Sequence, residues 1–314
     1  MMKITKKVLW MPWNLVSAAQ FVLTSVTEFF IAVVFISQLF GLFPISGLFS
    51  RDPHKIEFSW FSLRTLFSAC FIAFSLTYMV LIVWFQTKAG PLSPSNIVGI
   101  LFFANCSFIC ILFFKLSMKF GFIMERWSQV EKILEKSKFH EKLIQSRWTL
   151  KRKVIVCSSV ALISAAVEHS FSLAVSYQRG VYETNVCNWT RGNSFENYVT
   201  KHLSFMFNVI SYNFITGVLA EYFNISFTFY WNFLDIFLMV ISIGLSNNYE
   251  LINERIRFYK DLVVQDEVWS EIRSDYNKVS ELLKFVDGYL DKMIVLACLN
   301  DSYFMLVQLL NMST

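Results

Sequence analysis

Over half of the 314 residues are hydrophobic, only 16% are charged, and the mean hydropathy is +0.48. A soluble globular chain of this length does not normally carry that balance, so composition alone places the chain in a bilayer. The net charge of +5 is small and, as counted below, one-sided, a pattern that reports membrane orientation and excludes nucleic acid as a partner. Ten Gly and five Pro among 34 Phe argue against a glycine-packed transporter core. Cys70, Cys106, Cys110, Cys157 and Cys298 fall in apolar runs and only Cys187 in a polar loop, so there is no disulfide framework and no zinc spacing. The amino terminus, MMKITKKVLWMPWNL, lacks a small-residue cleavage site and reads as retained.

The run from Phe21 to Phe49 is apolar but interrupted by Glu28, Gln38, Gly41, Pro44 and Gly47, which suits an interfacial or re-entrant helix better than a crossing. Four cleaner segments follow, Ser62 to Gln86, Ile97 to Met118, Val154 to Tyr177 and Met293 to Met312. Each has roughly the 20 residues a crossing needs. The apolar run from Phe205 to Leu245 is too long for one crossing. Its second half, Phe227 to Leu245, is expected to span, with Met206 to Ser226 standing outside as a helical extension.

Sidedness follows from the most basic stretch, Lys119 to Lys153. With that loop in the cytoplasm and the broken segment not crossing, the inner set is residues 1–64, the basic loop with Lys115, and 247–292. These hold 6, 11 and 7 of the 28 basic residues and leave Lys88, Arg179, Arg191 and Lys201 outside. A bias of that size fixes a cytoplasmic amino terminus. The sequons at Asn188 (NWT) and Asn224 (NIS) then fall outside, as candidate glycosylation acceptors.

The expected organisation is therefore a cytoplasmic amino-terminal region with the interfacial helix (1–61), crossings one to four with an outer loop at 178–226 (62–246), a cytoplasmic helical anchor (247–292), and a fifth crossing (293–314). In the anchor, Ile252, Ile256, Phe258 and Leu262, then Trp269, Ile272, Tyr276, Val279, Leu282, Leu283 and Val286, recur at helical spacing among charges. Such a stripe packs on a partner, here the helix of the basic loop or another subunit. The fold class is an all-α membrane protein, a bundle of five transmembrane helices with an amino-terminal interfacial or re-entrant helix and extended cytoplasmic helices.

FSWFSLRTLFS (Phe58 to Ser68), AAVEHSFS (Ala165 to Ser172), FYWNFLDIFLMVISIGLS (Phe229 to Ser246), WSEIRSDY (Trp269 to Tyr276) and LNDSYFMLVQLLN (Leu299 to Asn311) occur in order. Together with QLFGLFPISGLF (Gln38 to Phe49) they resemble the insect gustatory receptors, and within these the sugar-receptor branch. The resemblance implies a seven-crossing plasma-membrane protein of sensory neurons with a cytoplasmic amino terminus. It implies a ligand-gated, non-selective cation channel assembled as a homo- or hetero-tetramer of such subunits, with small sugars as ligands and no cofactor. In the family two further crossings follow, the last lining the pore and carrying a Thr-Tyr-Glu signature. This sequence ends at Thr314, after the fifth expected crossing, and reads as a partial sequence or a truncated isoform.

Ionisable groups at bilayer depth are costly unless paired or facing water, which makes each a candidate for ligand contact. Glu168 and His169 lie in the outer half of the third crossing. Pointing about 100° apart, they suit either a pocket or a buried pair that locks helices. Trp231, Asn232 and Asp235 enter the fourth crossing, with Trp231 and Asp235 one turn apart on a shared face. A ring beside a carboxylate suits the C–H face and hydroxyls of a sugar, while an interfacial anchor explains Trp231 equally well. Asn300, Asp301, Tyr303 and Gln308 cluster on the fifth crossing, where Asp301 replaces the family's usual second Asn. Arg64 at the inner end of the first crossing is explained by snorkelling.

No nucleophile stands at a fixed spacing from a base, and there is no metal cluster and no phosphate-cradling Gly loop, so the sequence does not read as an enzyme. The absence of an internal repeat disfavours a secondary transporter. What remains is a sugar taste-receptor subunit or, alternatively, a truncated modulatory subunit that co-assembles with full-length receptors.

Overall fold

The computed structural model describes residues 33–48, 50, 53–88, 94–135, 140–186 and 193–313. Among these residues seven α-helices follow a short helical stretch at 33–39 and a 3-10 turn at Pro53–Lys55: α1 (Leu63–Lys88), α2 (Pro94–Glu135), α3 (His140–Val186), α4 (Ser194–His202), α5 (Ser204–Phe207), α6 (Phe214–Tyr259) and α7 (Asp266–Ser313). Among the described residues there is no strand, only an isolated bridge between Ser46 and Glu57.

The starts of these helices have local causes. Ser62 Oγ accepts the Thr65 amide at 3.1 Å ahead of α1, and α2 opens on Pro94, whose missing N–H is no loss at a first helical position. The start of α6 is fixed by a capping box in which Asn213 accepts from the Thr216 amide and Thr216 accepts from the Asn213 amide. Asp266 and Glu267 occupy the first turn of α7, where the helix dipole favours carboxylates.

Among the described residues five helices are long and apolar enough to cross a membrane, Leu63–Lys88, Ile97–Leu134, Arg152–Tyr182, Phe214–Tyr259 and Asp266–Leu310, and each covers one of the five expected crossings to within two residues. Four of them far exceed a crossing: α6 with 46 residues is about 69 Å long against a hydrocarbon core of about 30 Å. The expected single extension over Met206 to Ser226 is not what forms. Residues 208–213 are non-helical, α5 ends at Phe207, and Asn213 starts a fresh helix that runs through to Tyr259 without a break.

Cross-links between helices give the antiparallel order. Lys153 of α3 pairs with Glu250 of α6 at 3.3 Å, and Phe122 of α2 stacks edge-on against Phe285 of α7. At the other end Tyr198 of α4 donates to Glu221 of α6. The first level, rich in Lys and Arg, is termed the basic end.

Residues 33–48 of the broken amino-terminal segment are threaded into the bundle, and the rest of the expected interfacial or re-entrant helix lies outside the described residues. Tyr222 and Tyr230 of α6 donate their hydroxyls to the carbonyls of Leu39 and Phe40. Phe43 then plugs the core, with its ring 4.7 Å from Phe120 and 5.7 Å from both Phe113 and Phe237. Gln38 Nε2 donates to the Phe43 and Ile45 carbonyls and Arg64 donates to Ile45 at 2.8 Å, which supplies partners to backbone that no helix serves. Arg64 is thereby a structural clamp rather than only a snorkelling terminus. Gly47 has φ +76°, and a Cβ there would collide with the Lys55 carbonyl, so only glycine permits the turn that carries the chain out at the basic end.

Beyond the core, the second half of α6 and the first half of α7 form a helical hairpin. Arg255 bonds Asp275 at 2.6 Å, and Tyr249 meets Ser280 at 3.2 Å. The apolar stripe divides. Ile252, Ile272, Val279, Leu282 and Val286 are buried in the hairpin and against α2, whereas Ile256, Phe258, Leu262, Trp269, Tyr276 and Leu283 stay exposed.

Candidate ligand-binding site

A cavity of about 870 Å³ opens among α1, α2, α3, α6 and α7 in the half of the bundle away from the basic end. Helical periodicity builds each wall. On α3, Ala165, Glu168, His169, Ser172 and Ser176 recur three or four residues apart and face inward; on α6, Asn224, Thr228, Trp231 and Asn232 do so; on α7, Asp301, Phe304, Met305 and Gln308. Tyr78 of α1 with Phe102 and Phe103 of α2 closes an aromatic side, and His202 and Leu203, at the end of α4, close another.

Glu168, His169, Trp231, Asn232 and Asp301, all candidates from the sequence, line this one space. Three other candidates do not. Asn300 is buried behind the wall, where its Oδ1 accepts the Asn105 amide of α2 at 2.6 Å. Asp235 lies one turn along α6 from Trp231 and is half-buried outside the lining, and Tyr303 packs edge-on against Phe304. Asn188 falls outside the described residues.

Asn224 faces the cavity. It is half-buried in the continuous helix α6 and donates its Nδ2 to Glu221 at 3.3 Å. The sequence placed it outside only because the crossing was expected to begin at Phe227. Its i, i+4, i+8 relation to Thr228 and Asn232 was the available signal for a shared face.

Trp231 is held within the bundle. Its ring lies 4.4 Å from Phe304 at an interplanar angle of 30° and 6.5 Å edge-on from Phe102. Packing on two helices leaves it in the cavity wall rather than at a lipid boundary. Asn232 donates to the Thr228 carbonyl at 2.9 Å, which leaves its Oδ1 as the acceptor it offers the cavity. At the α4 side Glu221 receives Tyr198 and Asn224 on one oxygen while its other oxygen, like His169 Nε2, is buried without a partner. Burial, with the Glu221 carboxylate beside it, pushes the Tyr198 phenol well up, so it stays a neutral donor.

Two carboxylates, amides and hydroxyls therefore surround a space with aromatic walls. That set exchanges hydrogen bonds with a neutral, hydroxyl-rich ligand and presents ring faces to its C–H surfaces. Among the described residues, no group of three or more His, Cys, Asp or Glu could hold a metal.

The family model described as trehalose receptor matches residues 19–314. The chain belongs to that family. It is 31% identical over 283 residues to the Drosophila melanogaster gustatory receptor for sugar taste 64a, covering 88% of this chain and 60% of that one. It is 28% identical over 280 residues to the receptor for sugar taste 64f (88% and 57%), and 22% identical over 278 residues to gustatory receptor 5a for trehalose (88% and 60%), both from the same fly. The chain thus spans about three-fifths of the length of the curated relatives it matches. Membership of the trehalose receptor family agrees with the resemblance read from the ordered motifs, and these relatives are receptors rather than enzymes.

Proposed function

We propose that this chain is a sugar-sensing subunit of a taste receptor and that a small sugar occupies the cavity beside Trp231. It resides in the plasma membrane with the basic end in the cytosol, so the cavity half faces outward, and it contributes to a cation-conducting assembly of receptor subunits. One observation carries the reading: polar residues from α3, α6 and α7, each scarce in an apolar span, converge with Trp231 on one space of a size suited to a small ligand. The test is binding of radiolabelled trehalose, sucrose and glucose to membranes containing the chain, with and without W231A and D301N. Saturable binding of one of these sugars that both substitutions weaken supports the reading. No binding across the panel, or binding unchanged by both, refutes it.

A second reading is a modulatory subunit that co-assembles with longer relatives. It is favoured by the apolar residues left exposed on the hairpin outside the crossings, among them Phe258, Leu262 and Trp269, which suit a partner chain. Co-purification with a full-length sugar receptor, lost on F258E/L262E, tests it. Unaltered co-purification of that variant sinks it.

A further inference from the structure

A second cavity, of about 440 Å³, lies at the basic end where the segment entering α1 crosses α2. The crossing is close because α2 carries Gly121 there; a Cβ would collide with the Ile56 carbonyl. One wall is aromatic, Phe58 and Trp60 with ring centroids 5.1 Å apart and edge-on, and Phe114, outside the lining, packs edge-on against Phe58 at 5.6 Å. Met118 and Phe122 form the other wall. The rim carries Glu57 and Glu125, with Glu125 Oε1 3.7 Å from His54 Nδ1. The Glu57 carboxylate makes no ion pair among the described residues.

Carboxylates above aromatic faces suit a large, weakly hydrated cation. A free cation is opposed by the surroundings, because the exposed Lys55, Lys119 and Arg126 each adjoin a lining residue in the chain. A zwitterion resolves the conflict: its ammonium enters the acidic, aromatic cavity and its phosphate stays among the lysines. The depth fits as well. Lys119 directly follows the apolar run of α2, which sets the cavity at headgroup level. Trp60 is 63% exposed, and the surface continues along α1 through exposed Phe61, Leu63 and Leu66, an apolar path for an acyl chain.

We propose that this cavity binds the choline or ethanolamine headgroup of a zwitterionic phospholipid in the leaflet at the basic end. The site is separate from the sugar cavity and independent of whether sugar binds. An ordinary aromatic belt would hold this depth without distinguishing headgroups; Glu57 and Glu125 add the discrimination.

The test is native mass spectrometry of the purified chain in micelles doped equally with dioleoyl phosphatidylcholine, phosphatidylethanolamine and phosphatidylglycerol. The expected result is about fivefold greater retention of the two zwitterionic lipids, the size of one partly desolvated cation–aromatic contact. E57Q/E125Q abolishes the preference and W60L weakens it. Equal or greater retention of phosphatidylglycerol, or an undiminished preference in E57Q/E125Q, overturns the proposal. A photoactivatable diazirine phosphatidylcholine on the unmodified chain decides independently of any variant's folding. Cross-links within residues 54–60 or 117–125 support the site, and cross-links confined elsewhere overturn it.

Discussion

Removing the Asp275 carboxylate is expected to unfold the hairpin more readily than removing the whole ion pair. Arg255 and Asp275 are 2.6 Å apart, with side chains only 8% and 5% exposed, so both charges have been taken out of water. Unit charges centred about 4 Å apart attract by about 4 kcal/mol at an effective dielectric near 20, enough to offset much of that desolvation. In D275A the guanidinium keeps its burial and loses this partner, which costs about 3–5 kcal/mol. Glu271 lies 3.6 Å from a second guanidinium nitrogen but is 58% exposed, so it restores no more than about 1 kcal/mol. The net expectation is a loss of about 2–4 kcal/mol. R255L/D275L, which leaves no buried charge, should lie within about 1 kcal/mol of the parent. Thermal unfolding in detergent, followed by circular dichroism with and without salt, measures both. A double variant as unstable as D275A, or a D275A loss below about 1 kcal/mol, would refute the reasoning.

F43A empties a space bounded by Phe113, Phe120 and Phe237 and should lower stability by about 3–5 kcal/mol in the same unfolding assay. G47A forces a side chain into a positive-φ turn against the Lys55 carbonyl and should cost about 1–3 kcal/mol, read as a lower midpoint. N105L leaves the Asn300 amide buried without its partner and should cost about 1–3 kcal/mol, whereas N105L/N300L recovers most of it; equal losses would show that the amide pair does not matter. W231A should weaken sugar binding tenfold or more and W231F less, since Phe keeps a ring against Phe304; radioligand competition separates the two.

The crossings were legible because hydrophobic length is a one-dimensional signal, and each of the five long apolar helices holds the bulk of one expected crossing. Helical periodicity likewise made the hairpin stripe readable before its partners were known. The division of that stripe was not readable, because whether Ile272 or Trp269 is covered depends on the crossing of α6 over α7, which spacing does not contain. At the cavity, Glu168, His169, Trp231, Asn232 and Asp301 stood out as polar or aromatic groups in apolar runs. Asn300 stood out for the same reason yet turns toward Asn105, 195 positions away in the chain. Asn224 went unread as a wall residue because the Asn-Ile-Ser triplet suggested a glycan and no local feature marks how far α6 extends. The partners of Phe43 were equally hidden, since a broken apolar segment shows that it will not cross and says nothing of which rings receive it.

The unbroken length of α7 has a mechanical consequence. Asp301, at the cavity, and Asp275, locked to Arg255, stand on one helix 26 residues apart, about 39 Å at the helical rise. A rod of that kind transmits tilt with leverage. Tipping it by about 5° near Asp301 swings the clamped end sideways by about 3 Å, more than half of one helical pitch. A disturbance small enough to be absorbed by side-chain rotation at one end thus arrives at the other as a displacement that the Arg255 clamp must either resist or follow.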